Sequence, residues 1–179
     1  MDLAALRALI EAFEPADAVE AEHRAAMLEL CASKGDPTSR DHFDPGHFTA
    51  SAFVLSPRRD ALLLIFHGKL HRWLQPGGHV DPTDLDIFAA ARREVEEECG
   101  TRGLIPLGGL FDLDVHVIPA RKGDPDHKHF DVRLLFQAEG DAIEAGSDAK
   151  AARWVPLVEI HTVESDESVM RAVRKLQGG

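Results

Sequence analysis

Residues 77–100 read GGHVDPTDLDIFAAARREVEEECG, and how this stretch folds decides how the rest of the chain is read. Residues 85–99 carry the strongest helical pattern in the sequence. Ile87, Ala90, Ala91 and Val95 recur at helical spacing and supply a face to bury. Arg93, Glu94, Glu96, Glu97 and Glu98 crowd the other side. Four acids within five residues repel one another on a bare helix. Glu94, Glu97 and Glu98 are related by i, i+3 and i+4, so their side chains share one face. Three carboxylates converging there make an oxygen-rich site for a hard divalent cation. Arg93 precedes Glu97 by four residues and can hold it in a fork-shaped ion pair. Gly77 and Gly78 let the backbone turn tightly, so that a carbonyl can approach the same cation. An acidic helix alone is usually a solvated face. Here it follows a strand, a Pro-Gly-Gly turn and a loop, which favours the metal reading.

The segment resembles the Nudix box, the signature of Nudix hydrolases. That pattern is Gly, five residues, Glu, seven residues, then Arg-Glu-apolar-x-Glu-Glu-x-Gly-apolar. Arg93-Glu94-Val95-Glu96-Glu97-Glu98-Cys99-Gly100 fits the second half, and Thr101 replaces the final apolar residue. The first half departs from the pattern. Gly78 lies fifteen residues before Arg93 instead of fourteen, so the loop of the Gly78–Gly100 box carries one extra residue. The expected Glu falls at Leu85, and Asp84 or Asp86 takes its place. The resemblance covers roughly residues 45–163.

The resemblance implies an α+β fold, a mixed sheet sandwiched between helices in α/β/α layers; an N-terminal helical extension lies outside it. It implies hydrolysis of a diphosphate in a nucleoside diphosphate-X type substrate, with Mg2+ or Mn2+ and water attack on phosphorus. Carried over, Glu94, Glu97 and Glu98 are metal ligands, joined by the carbonyl of Gly78. Glu94 is also a candidate base, and Arg93 orients the loop acid and Glu97. Where the base lies outside the box, Asp148 is the candidate by position, before Arg153-Trp154-Val155-Pro156-Leu157. The alternative is a Nudix-like nucleotide-binding or regulatory module without turnover, against which the three intact glutamates argue. An isopentenyl-diphosphate isomerase shares the fold but needs a cysteine in the strand region ahead of the box. Cys31 and Cys99 fall in helical patterns, which disfavours it.

Outward from the box, residues 2–13 place Leu3, Leu6, Leu9, Ile10 and Phe13 at helical spacing. Residues 16–33 continue with Val19, Ala26, Met27 and Leu30 on one face, and Gly35 and Pro37 end the pattern. These form the extension, residues 1–40, ahead of a main domain at 41–179. Strand patterns cover 47–55 and 61–66, then 108–118, 129–137 and 152–155, with a closing helix at 165–176. In 129–137, Phe130, Val132, Leu134 and Phe136 oppose His129, Asp131 and Arg133. In 110–118, Leu113, Val115 and Val117 oppose Asp112, Asp114 and His116. A hairpin symmetric about residues 119–128 sets Asp114 opposite Arg133 and His116 opposite Asp131. The expected substrate-binding set is therefore Arg133, Asp131, His129 and His116, with Arg133 on a phosphate or base. Against it stands a plain sheet face with cross-strand ion pairs. A zinc site of His116, His127 and His129 is disfavoured, because the spacing matches no compact zinc signature and no cysteine joins it.

The 179 residues suffice for one core of ordinary size. Twenty basic against 31 acidic residues leave a charge of −11, which disfavours a nucleic-acid binder and any DNA-binding domain. A metal ion still allows a small polyanionic substrate, a phosphoanhydride of nucleotide type. Two cysteines make no disulfide framework. No signal peptide or membrane span is legible, so the expectation is a cytoplasmic protein without membrane contact. A homodimer is the default assembly.

Overall fold

The computed structural model describes residues 1–121, 123–144 and 151–178. Two helices open the chain, α1 (Leu3–Ala12) and α2 (Ala18–Cys31). Strands β1 (Gly46–Leu55), β2 (Ala61–His67), β3 (Arg72–Leu74) and β4 (Gly77–His79) precede helix α3 (Ile87–Cys99). Strands β5 (Leu104–Ile118), β6 (His127–Ala138) and β7 (Ala152–Pro156) follow, and α4 (Glu167–Leu176) closes the fold. The mixed sheet has seven strands in the order β3-β2-β1-β6-β5, with β4 on β1 and β7 on β2. All ten residues of the central strand β1 are buried. His47, Thr49 and Ser51 alternate with Phe48, Ala50 and Ala52, so one face of β1 buries polar side chains and the other apolar ones.

The chain divides into two compact units, and β1, α3, β5 and β6 each run through both. One unit comprises Met1–Ala50, Gly78–Ala91 and Gly109–Leu134. In it Leu6 and Ile10 of α1 and Met27 and Leu30 of α2 are buried. Arg24 ties the two helices by donating from Nε to the Ile10 carbonyl at 2.9 Å. The expected inward face of α2 holds at Met27 and Leu30 and departs only in the first turn. Val19 is 52% exposed, whereas Glu20 is fully buried. The reason is a polar task at the end of the sheet order, where a strand leaves backbone groups to be satisfied. The Leu113 amide of β5 donates to Glu20 Oε1 at 3.3 Å, and His23 Nδ1 bonds the Leu113 carbonyl at 3.0 Å. The helical extension thus covers an edge strand with hydrogen bonds as well as apolar contact.

The second unit comprises Ser51–Gly77, Arg92–Gly108 and Leu135–Gly179. Its centre is the buried run Ala61–Ile65 of β2. β2 pairs antiparallel with β7, setting Leu62 opposite Val155, and with β3, setting Ile65 opposite Leu74. The three-residue strands β3 and β4 leave too short a pattern for alternation to reveal. α4 buries Val169, Ala172 and Val173, and Asp166 caps it by accepting from the Val169 amide at 3.0 Å. Trp73 packs under the Arg153 guanidinium, 4.2 Å from the ring centroid, so in this structure its ring faces a protein cation.

Candidate functional site

Helix α3 forms as its periodicity predicts, with Ile87, Ala90, Ala91 and Val95 at 1% exposure or less. Asp86 caps it by accepting from the Ala89 amide at 2.8 Å. Asp84 is buried, and its carboxylate accepts from the Asp81 amide at 2.8 Å. The two candidate replacements for the first box glutamate therefore have different local duties, Asp86 starting the helix and Asp84 closing the loop turn. At the far end Gly100 adopts φ +63° and donates to the Glu96 carbonyl at 2.9 Å. That left-handed residue stops the helix just past the acids, as a helix C-terminus favours.

The acids divide between partners. Arg93 Nη1 donates to Glu94 Oε1 at 2.8 Å and to Glu97 Oε2 at 3.2 Å. One nitrogen is shared between two carboxylates, so the expected fork on Glu97 is a bridge across Glu94 and Glu97 instead. Glu98 Oε2 accepts from the Gly77 amide at 2.9 Å. That bond fixes the third glutamate to the strand residue immediately before Gly78. Glu96 lies off this face and pairs with Arg102 at 2.6 Å. The Glu94 side chain is 13% exposed and the Glu97 side chain 58%. Cys99 is buried behind them, and burial pushes its thiol up to about 12, which keeps it protonated and inert. Asp148 lies outside the described residues.

In the other unit, the polar face predicted for β5 and β6 is present but sits inside the protein. Arg133 is 2% exposed, Asp112 0%, Asp131 5% and Asp114 9%. Arg133 Nε donates to Asp131 at 2.7 Å, Nη1 to Asp112 at 3.2 Å, and Nη2 meets Asp114 at 3.2 Å. The contact with Asp114 is the one expected from the sequence, and Asp112 and Asp131 join it. The plain exposed face is corrected to a buried ion network. Burial opposes the charge of Arg133, and the carboxylates of Asp131, Asp114 and Asp112 outweigh it, raising the guanidinium above its ordinary value. Asp131 also accepts from Thr49 Oγ1 at 3.1 Å. His116 bonds Asp114 at 3.0 Å and stands edge-on to His129, 5.6 Å between centroids. Val117, expected to point inward, is 63% exposed because the strand leaves the core there.

The same unit gathers histidines. His47 of β1 and His127 and His129 of β6 each bring one ligand atom within 4.8 Å of the others. The His79 ring lies 5.1 Å from that of His47 and 5.2 Å from that of His129. Burial lowers His47 to about 4, opposed by its bond to the His42 carbonyl and helped by His79 and His127, and lowers His129 to about 2, so both rings are neutral. This set differs from the one weighed on spacing, with His47 in place of His116. His47, eighty residues upstream of His127, is the member that only the pairing of β1 with β6 supplies.

Comparison with known proteins agrees with this architecture. The family described as NUDIX domain matches residues 45–175. A human protein, diphosphoinositol polyphosphate phosphohydrolase 3-alpha, is 32% identical over 102 residues, covering 54% of this chain. The match spans 57% of the human protein, little more than half its length. A Nudix hydrolase from M. smegmatis, RenU, superposes with a TM-score of 0.55 at 16% identity, over 74% of this chain and 84% of that one. The NUDIX domain of Shewanella oneidensis NrtR, solved with ADP ribose, gives 0.53 at 15% identity, over 82% of this chain and 90% of that one. At such identities the two structures speak for the fold. The family match over most of the chain, joined to the helix of glutamates that ends at Gly100, places this protein in the NUDIX domain family.

Proposed function

We propose that the protein hydrolyses a phosphoanhydride bond in a small diphosphate-containing substrate of nucleotide type, with Mg2+ or Mn2+. The observation that carries this reading is the arrangement of Glu94, Glu97 and Glu98 on α3. Arg93 bridges the first two, and the third is bonded to the Gly77 amide. A set of carboxylate oxygens beside a glycine backbone fits a hard cation that keeps several waters. The proposed ligands are Glu94, Glu97, Glu98 and the carbonyl of Gly78. Such a cation, when bound, neutralises charge on the phosphoryl oxygens and activates water.

The chain's own groups do the rest. Arg93 holds the Glu94 and Glu97 carboxylates in place against mutual repulsion. Glu94, the less exposed of the two, takes a proton from the attacking water at a carboxylate oxygen. Asp148 is the proposed base if the proton leaves elsewhere. Of the proposed substrate set, His116 is exposed and able to meet a ligand. Arg133, itself paired with Asp131, acts from below it by holding Asp114, and His129 faces His116. A cytoplasmic homodimer belongs to the same proposal. Among the described residues no helix is long and apolar enough to cross a membrane.

A phosphate-release screen tests the reading. The panel holds nucleoside triphosphates, nucleotide sugars, dinucleoside polyphosphates and, because of the human relative, a diphosphoinositol polyphosphate. Each is assayed with magnesium and then manganese, beside Glu97→Gln. Turnover of one class that falls by about a hundredfold or more in the variant supports the proposal and names the substrate. Absence of turnover across the panel, with a nucleotide bound in calorimetry, replaces it with the binding-module alternative.

A further inference from the structure

We propose that His47, His127 and His129 form a site for one divalent metal ion of the zinc class, held by imidazole nitrogens alone. The inference stands apart from the hydrolase reading, which uses carboxylates. His127 and His129 are two apart on β6, so they project from one face of the strand. His47 sits at the start of β1, the neighbouring strand in the sheet. Three ligands thus come from two hydrogen-bonded strands, a rigid platform.

The hydrogen bonds select the tautomers that a metal needs. His47 Nδ1 lies 3.2 Å from the His42 carbonyl, and His127 Nδ1 lies 2.8 Å from the Pro125 carbonyl. A carbonyl only accepts, so each Nδ1 carries the hydrogen and donates it. In a neutral ring Nε2 is then a bare lone pair. A metal-binding histidine is oriented in this way by its other nitrogen. His47 Nε2 is buried and has no hydrogen-bond partner. A buried acceptor left without a donor is unfavourable, and a cation at that point removes the penalty.

The spacing is close to what an ion requires. Zinc–nitrogen bonds of about 2.0–2.1 Å in a tetrahedron put the nitrogens roughly 3.4 Å apart. One ring nitrogen from each of the three histidines already lies within 4.8 Å of the others, and ring rotations close the difference. Imidazole selects zinc, copper, iron or nickel over magnesium, so the donor set also fixes the class of ion. The fourth position is left to His79 or to a water.

The test uses the full chain stripped with a chelator and then titrated with Zn2+ or Co2+ alone. One equivalent of metal is expected to bind, with X-ray absorption showing an imidazole-nitrogen shell. Zinc in hundredfold excess over its Kd is expected to raise Tm by roughly 5 °C or more. His47→Gln and His129→Gln are expected to weaken zinc binding by about a hundredfold or more, while Glu97→Gln leaves it unchanged. An all-oxygen shell in the unmutated protein overturns the proposal. So does failure to bind one equivalent, or loss of binding in Glu97→Gln with none in the histidine variants. The absorption measurement needs no variant, so a histidine variant that fails to fold does not block the decision.

Discussion

The glutamates of α3 and the aspartates around Arg133 are the same functional group in opposite surroundings. On α3, one guanidinium nitrogen serves Glu94 and Glu97, and the Glu97 side chain is 58% exposed. Around Arg133, three carboxylates surround a side chain only 3% exposed. Water screens Glu97, so its ion pair adds little to stability and its oxygens stay available to a ligand. The second set has left water, and each charge depends on the others to offset its desolvation. One region can lose a charge and keep its fold, whereas in the other the charges hold the fold together.

Glu97→Gln should divide activity from stability most sharply. Hydrolysis is expected to fall by about a hundredfold or more, with Tm within about 2 °C of the unmutated protein. A parallel collapse of Tm in a melting curve would break the contrast. Arg133→Ala should do the reverse. It strands three buried carboxylates and is expected to cost about 3–5 kcal/mol, a fall in Tm of roughly 10 °C. A near-unchanged denaturation midpoint would show that the aspartates tolerate one another without the guanidinium.

Gly46→Ala probes the frame beneath the histidines. Gly46 adopts φ +151°, and a Cβ there would fall inside the carbonyl of Lys128. Backbone must move, so a loss of about 2 kcal/mol is expected in chemical denaturation, together with weaker zinc binding. The smallest effect belongs to Glu96→Ala. Its partner Arg102 is exposed and neither is placed in the site. Hydrolysis within twofold and stability within about 0.5 kcal/mol are expected, so a large loss of rate would redraw the active face of α3.

What the sequence could determine was what repeats locally. The α3 helix, its buried stripe and its acidic face follow from spacing within a few turns, because a helix makes its own neighbours at i+3 and i+4. The long strands and the Asp114–Arg133 pair were legible for a related reason, since alternation and a short linker set a register. Val19 turns outward and Glu20 inward, against the periodicity, because α2 serves a backbone it meets only in the fold. The amide and carbonyl of Leu113, more than ninety residues away, set which side chain turns inward. The bridge at Arg93 and the bond from Gly77 to Glu98 likewise depend on where side chains and strand come to rest. The histidine cluster is the clearest case. Linear reading offered His116 as the third member beside His127 and His129, and His47 reaches them only because β1 lies beside β6 in the sheet. Periodicity carries information along one element, and contacts between elements distant in sequence arise only when burial drives the chain to close on itself.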